Sequence, residues 1–173
     1  DFLFYALKRL LKANKDIKLL MAGGGYDELR LKDLARVMGL EKHVLFLGTY
    51  TDLQRPNILS LADIFVFSSV TETQGLVILE ALSAGVPVVA VKRMGVAEVM
   101  EGNKGGILTE LSIDKFAEAV NKMIHDKKFY AKKKKEALIH AKEWESSAMA
   151  KKMISLYRET IEQYNNTAIK KEN

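Results

Sequence analysis

Cysteine is absent from this sequence of 173 residues, which excludes disulfide frameworks and thiolate metal sites. That absence fits a reducing compartment, and we expect a cytoplasmic protein. Proline occurs only twice and no low-complexity stretch interrupts the chain, which argues against a linker between two large domains. Aromatic residues make up 8%, and no aromatic-studded strand accompanies the basic residues, so nucleic acid is not an expected partner. Long apolar runs are missing too. The longest, GLVILEALSAGVPVVAV, is interrupted by Glu80, Gly85 and Pro87, and falls short of the roughly 20 residues a spanning helix needs. The opening DFLFYALKRLLKANK has the pattern of an amphipathic helix, without the basic start and small-residue cleavage site of a signal peptide.

What is present suits a globular domain. Hydrophobic residues account for 48% of the chain, enough for a sizeable core. The net charge of +5 is concentrated in KKFYAKKKKEALIHAK, residues 127–142. Lys132 to Lys135 sweep most of the way round a helix, so they cannot form one tight face. Tyr130, Ala137, Ala141 and Trp144 still mark an apolar stripe. Two readings stand for the lysines: a solvated helix back, or attraction to an anionic membrane surface.

Along the chain, short apolar runs alternate with helical patterns. Strands are expected at Ile17 to Gly23, His43 to Gly48, Asp63 to Ser69, Val86 to Val91 and in GGILTE. Helices are expected between them, with Gly39 just past the end of one and Pro56 in the first turn of another. From Ser112 the pattern is helical to about Tyr164, and the polar NNTAIKKEN tail is expected to fray. Such alternation predicts an α/β fold: a parallel sheet covered on both faces by helices. We divide it into residues 1–125, the sheet domain; 126–164, helices packing on it; and 165–173, the tail.

Ligands of such sheets bind beyond the carboxyl ends of the strands. Four strand ends carry candidates. In MAGGGYDEL, Gly23 and Gly24 permit close backbone approach to a ligand, although a tight turn alone explains them equally. Tyr50, beyond the next strand, is either a neighbour of a base or an ordinary half-buried ring. SSVTETQGL leads into GLVILEALSA, which is apolar on nearly every side yet carries Glu80. Thr71 and Gln74 have capping-box spacing, and the amides of Gln74, Gly75 and Leu76 are first-turn donors that form an anion site. Glu72 is expected to project into the same crevice. A carboxylate accepts two hydroxyls at once, as a ribose presents them; the alternative is that Glu80 pairs with a buried lysine or backbone amides. Lys92 and Arg93 follow the fourth strand, where phosphate contact and plain solvation are both open. His43, His125 and His140 lack metal-ligand spacing, and no Asp-x-Asp motif is present.

ETQGLVILEALSAGVPVVA resembles the signature of retaining glycosyltransferases of the GT-B fold, specifically the large family four: two glutamates, Glu72 and Glu80, with seven residues between them. MAGGG, HVLFLG, Ala62 to Ser68, Pro87-Val88-Val89 and Gly105-Gly106 strengthen the resemblance, which covers roughly residues 1–125. Trp144-Glu145 and the final helix add a weaker match. The resemblance implies a Rossmann-like, donor-binding C-terminal half that lacks its first strand, with strand order 3-2-1-4-5-6. It implies that Glu80 holds the ribose hydroxyls and that Glu72, as the catalytic candidate, lies by the transferred sugar. The Gln74, Gly75 and Leu76 amides would hold the distal phosphate, Gly23 and Gly24 would line the cleft, and Tyr50 would border the base. The implied reaction is hexose transfer from a nucleotide sugar, UDP-glucose in the first instance, with retention and without a metal or other cofactor. Gln74 stands where the family usually has an aromatic residue. In this it resembles bacterial diacylglycerol glucosyltransferases, which implies a lipid acceptor at the inner face of the membrane. The acceptor-binding N-terminal half is expected as a further part of the same enzyme. A nucleotide-sugar epimerase, expected to lack the glutamate pair, and a non-catalytic nucleotide-binding module are the alternatives.

Overall fold

The computed structural model describes residues 1–169, with side chains described through residue 164. The chain opens with helix α1 (Phe2–Leu10) and strand β1 (Leu19–Ala22). Then α2 (Glu28–Val37), β2 (Val44–Gly48), α3 (Arg55–Ser60) and β3 (Phe65–Phe67) alternate. They are followed by α4 (Leu76–Ser83), β4 (Val88–Val91), α5 (Met94–Val99) and β5 (Gly106–Thr109). Three helices close the chain: α6 (Ile113–His125), α7 (Lys127–Glu143) and α8 (Ser146–Ile169).

Every predicted strand is present and every pairing is parallel, in two groups: β1 with β2, and β3-β4-β5 in that order. Local chemistry explains the boundaries. Gly39 takes φ +71° past the end of α2, and the amides of Gly39 and Leu40 return to the carbonyls of Arg36 and Ala35. That is a Schellman closure, which needs a left-handed residue at this point. Pro56 stands in the first turn of α3, where its missing N–H costs nothing. The side chains of Ser112 and Asp126 cap α6 and α7 by accepting from the amides of Lys115 and Phe129.

β4 organises the core. Val88 and Ala90 point into one cluster with Ile78, Ala81 and Leu82 of α4, Val96 and Val99 of α5, and Ala137 of α7. Val89 and Val91 point the other way, towards Ala6 and Leu10 of α1 and Phe116, Val120 and Met123 of α6. The strand is thus covered on both faces, as its unbroken apolar run requires. The β1–β2 pair departs from that expectation. One face packs on Phe4, Leu7, Ala35 and Leu40, while Leu20, Leu45 and Leu47 on the other stay 37–45% exposed.

β1 and β3 do not pair with each other. Between them lies a cavity of about 480 Å³ lined by Leu19, Leu20, Phe65, Val66, Leu10 and Phe116 among others. The family resemblance implies an order in which one strand position separates these two.

The C-terminal helices differ from expectation in three respects. Lys133 is not solvated: it is buried, and its ammonium donates to the Asn103 carbonyl and to Glu136, both at 2.7 Å. α7 packs on α4 and α6 as expected, but α8 touches little besides α7, and residues 151–164 are exposed throughout. Nor does the helix stop near Tyr164; it runs to Ile169, and the remainder of the predicted tail, residues 170–173, lies outside the described residues.

Candidate functional site

The carboxyl ends of β1, β2 and β3 deliver the predicted loops. After β1, Gly23 has φ +125° and its amide donates to the Gly48 carbonyl at 2.9 Å, tying this loop to the end of β2. At Gly24 a Cβ would come within 2.7 Å of the Thr49 methyl, so the two loops meet at a contact that only glycine allows without displacement. Tyr50, two residues past β2, is half-buried.

The turn after β3 is built differently from the capping box expected of Thr71 and Gln74. Gly75 is the residue before α4 and no side chain caps the helix, so the Gln74 and Gly75 amides lie in the turn ahead of it, and Glu72 closes that turn. Its Oε1 accepts from the amides of Gln74 at 2.9 Å and Gly75 at 2.8 Å. The carboxylate therefore folds back on the turn, where sequence spacing had it projecting freely into the crevice. The same two hydrogen bonds, Gln74 first, hold its carboxyl below the usual range. The physical reason is proximity. A carboxylate two or three residues ahead of donors without helical acceptors satisfies them locally. Gly75 follows at φ +70° as the residue before α4, and the Leu76 side chain is exposed at the mouth of the site.

α5 locks this turn from behind. The Gly95 amide donates to the Glu72 carbonyl at 3.2 Å. A Cβ on Gly95 would lie 2.2 Å from the Thr73 carbonyl oxygen, and one on Gly75 would lie 3.1 Å from a Val99 methyl. Gly95 is a site-shaping residue that sequence reasoning missed. Its signal was a glycine just inside a short helix, where glycine has no propensity reason to be.

Glu80 is not deeply buried. α4 is covered at Ile78, Ala81 and Leu82, while the Glu80 side chain is 34% exposed. Neither a lysine nor backbone amides partner it. Arg55, the first residue of α3, donates from Nη1 to Glu80 Oε1 at 2.6 Å. Its Nη2 binds Asp52 in the preceding loop. The Glu80 charge, ahead of Asp52, raises the affinity of this guanidinium for its proton. Arg55 is the second residue that sequence reasoning missed, because no periodic pattern links it to Glu80.

The structure thus gathers Glu72, Gln74, Gly75, Leu76 and Glu80 on one turn and helix, with Arg55 and the Tyr50 loop joined to them. Lys92 and Arg93 are exposed after β4. Chemically the site offers an amide seat that already holds a carboxylate, and a carboxylate with two acceptor oxygens. Among the described residues no group of three His, Cys, Asp or Glu is arranged to hold a metal ion. His140 serves the core, its ring nitrogens facing the Val99 carbonyl and the Glu143 carboxylate.

Comparison with known proteins identifies the family and the fold. The chain is 33% identical over 135 residues to a GDP-mannose-dependent alpha-(1-6)-phosphatidylinositol monomannoside mannosyltransferase of Mycobacterium tuberculosis, covering 73% of this chain and 35% of that protein. It is 32% identical over 140 residues to a D-inositol 3-phosphate glycosyltransferase of Corynebacterium jeikeium, covering 80% and 33%. The chain therefore spans about a third of the length of these relatives. Among solved structures, Anabaena HepE in complex with UDP and glucose superposes with a TM-score of 0.76 at 26% identity, covering 91% of this chain and 44% of that one. The C-terminal domain of a group 1 glycosyl transferase from Francisella tularensis has the same fold, with a TM-score of 0.73 at 24% identity, covering 83% and 77%. The architecture is that of the C-terminal domain of GT-B glycosyltransferases. Residues 1–144 match the family described as Glycosyl transferases group 1, and the chain belongs to that family.

Proposed function

We propose that this chain is the donor-binding half of a retaining hexosyltransferase. In this reading Glu80 accepts the ribose hydroxyls of a nucleotide sugar. The amides of Gln74, Gly75 and Leu76 take the distal phosphate, and Glu72 serves the transferred sugar. Gly23 and Gly24 line the cleft, and Tyr50 borders the base. The observation that carries the reading is the anion-holding turn at the head of α4, close in sequence to Glu80. Amides that bind a carboxylate at a helix start also suit a phosphate oxygen. Binding then requires the Glu72 carboxylate to leave these amides, which frees it to meet the sugar. The helix start supplies positive potential, so the reading assigns no metal.

The donor we assign is a UDP-hexose, glucose first, in line with the ligands of HepE. GDP-mannose, named for the mycobacterial relative, is the competing donor. A lipid acceptor is supported by the phosphatidylinositol mannoside in that relative's name and by the exposed Lys127, Lys128, Lys132, Lys134 and Lys135 of α7. Among the described residues no helix is long and apolar enough to cross a membrane, so contact would be peripheral. The acceptor-binding half, and a strand filling the slot between β1 and β3, are assigned to other parts of the enzyme.

Calorimetry with UDP and GDP tests the donor site. Glu80→Ala should weaken binding about tenfold or more, the worth of charge-assisted hydrogen bonds. Unchanged affinity would remove Glu80 from the site. Glu72→Gln in an enzyme carrying both halves should lower turnover without weakening diphosphate binding, since the carboxylate competes for the seat amides; equal loss of both would make Glu72 structural. This chain alone should not transfer sugar, because orientation of the acceptor supplies much of the rate. Labelled product from the chain alone would overturn the division into halves.

A further inference from the structure

Arg55 has no role in the reading above, yet it makes the polar contact that holds Glu80. Its guanidinium bridges two carboxylates that belong to different elements. Nη1 donates to Glu80 Oε1 on α4 at 2.6 Å, and Nη2 binds Asp52 in the loop between β2 and α3. The Arg55 and Glu80 side chains are each 34% exposed, so the pair is neither dry nor free in solvent. Exposed ion pairs contribute little to stability. A planar fork that holds one carboxylate oxygen does something else: it fixes the rotamer of the carboxylate. With Oε1 engaged, the remaining acceptor capacity of Glu80 has one orientation.

We propose that Arg55 is a positioning residue for ribose recognition. It clamps Glu80 so that the carboxylate meets the vicinal hydroxyls already aligned, and through Asp52 it anchors the loop that runs back to Tyr50. The sugar side and the base side of the nucleoside seat are joined through one guanidinium. The proposal rests on the reading of Glu80 as the ribose acceptor, and its test separates the two.

The test compares UDP with 2′,3′-dideoxyuridine diphosphate by calorimetry on an enzyme carrying both halves, unaltered or with Arg55→Ala, Arg55→Lys or Glu80→Ala. Both Arg55→Ala and Glu80→Ala should lose about tenfold in UDP affinity while binding the dideoxy compound within about twofold of the unaltered enzyme. Arg55→Lys should recover only part of the loss, since an ammonium lacks the fork that holds two carboxylates together. A merely structural role for Arg55 predicts equal loss for both nucleotides, and that result overturns the proposal. Loss of ribose discrimination in Glu80→Ala with full discrimination in Arg55→Ala also overturns it, leaving the reading of Glu80 intact. Retained discrimination in Glu80→Ala defeats the reading itself, as does failure of the unaltered enzyme to bind UDP or GDP.

Discussion

The two sheet groups of this molecule are built from similar apolar runs, and they end up in different environments. VVAV of β4 is buried at every residue, because α4 and α7 cover one face and α1 and α6 the other. LLMA of β1 alternates between half-buried and exposed, because helices cover one face only. Composition alone does not separate the two strands. What separates them is whether a second layer arrives, and that is decided by residues far away in the chain. The turn that holds the Glu72 carboxylate is mounted on the well-covered half, at the end of β3, while the glycine loop is mounted on the other.

Core truncation should expose the difference most. Leu82→Ala, in a fully buried position beside β4, is expected to cost about 2–5 kcal/mol in urea denaturation. Leu47→Ala, 39% exposed on β2, should cost under about 1 kcal/mol. Similar values for the two would show that the uncovered face is packed in solution.

Gly95→Ala comes next. The new methyl would meet the Thr73 carbonyl, so α5 or the turn must move, at about 1–3 kcal/mol. Stability should fall, and UDP affinity with it, because the seat amides shift. Loss of stability alone would uncouple α5 from the seat.

Hydrogen exchange sharpens the comparison without substitution. Amides of Val89, Ala90 and Val91 should exchange with the slowest class, and those of Leu20 and Met21 markedly faster. Matching rates would mean that the two groups open as one unit.

The smallest effect is electrostatic. The folded-state carboxyl of Glu72 titrates below its ordinary value of 4.5. Its contribution to stability is therefore present above that value and disappears as pH falls through the depressed one. The melting-temperature gap between the unaltered chain and Glu72→Gln should be widest near neutrality and close as pH drops from about 5 towards 3. A gap that is constant with pH would mean that the charge of Glu72 contributes nothing through its amide bonds.

Much of the scaffold was legible because its causes are local. Apolar runs gave the five strands, Gly39 marked a helix end by the only backbone it suits, and Pro56 marked a beginning. The site was legible in part. The spacing of Glu72 and Glu80 and the donor amides of Gln74 and Gly75 are properties of one short segment. The partner of Glu80 is not: Arg55 reaches it across a helix boundary. Lys133 likewise finds the Asn103 carbonyl through packing of α7. Glu72 was expected to project into the crevice because spacing says where a side chain starts, not which donor it finds first. The uncovered face of β1 and β2 was invisible for the same reason: a strand records that it can be buried, not that it is.

The interlock between Gly95 and the turn at Thr73 has a consequence for protein engineering. The anion seat reads as a continuous cassette, residues 72–80, and invites transplantation as one loop and helix. Its shape, however, is moulded against a second segment with no space for a methyl group. A graft that carries the cassette without the α5 backbone moves the residues and leaves the mould behind. The transferable unit is two discontinuous pieces held at fixed separation, and a recipient scaffold must be chosen for the second piece as much as for the first.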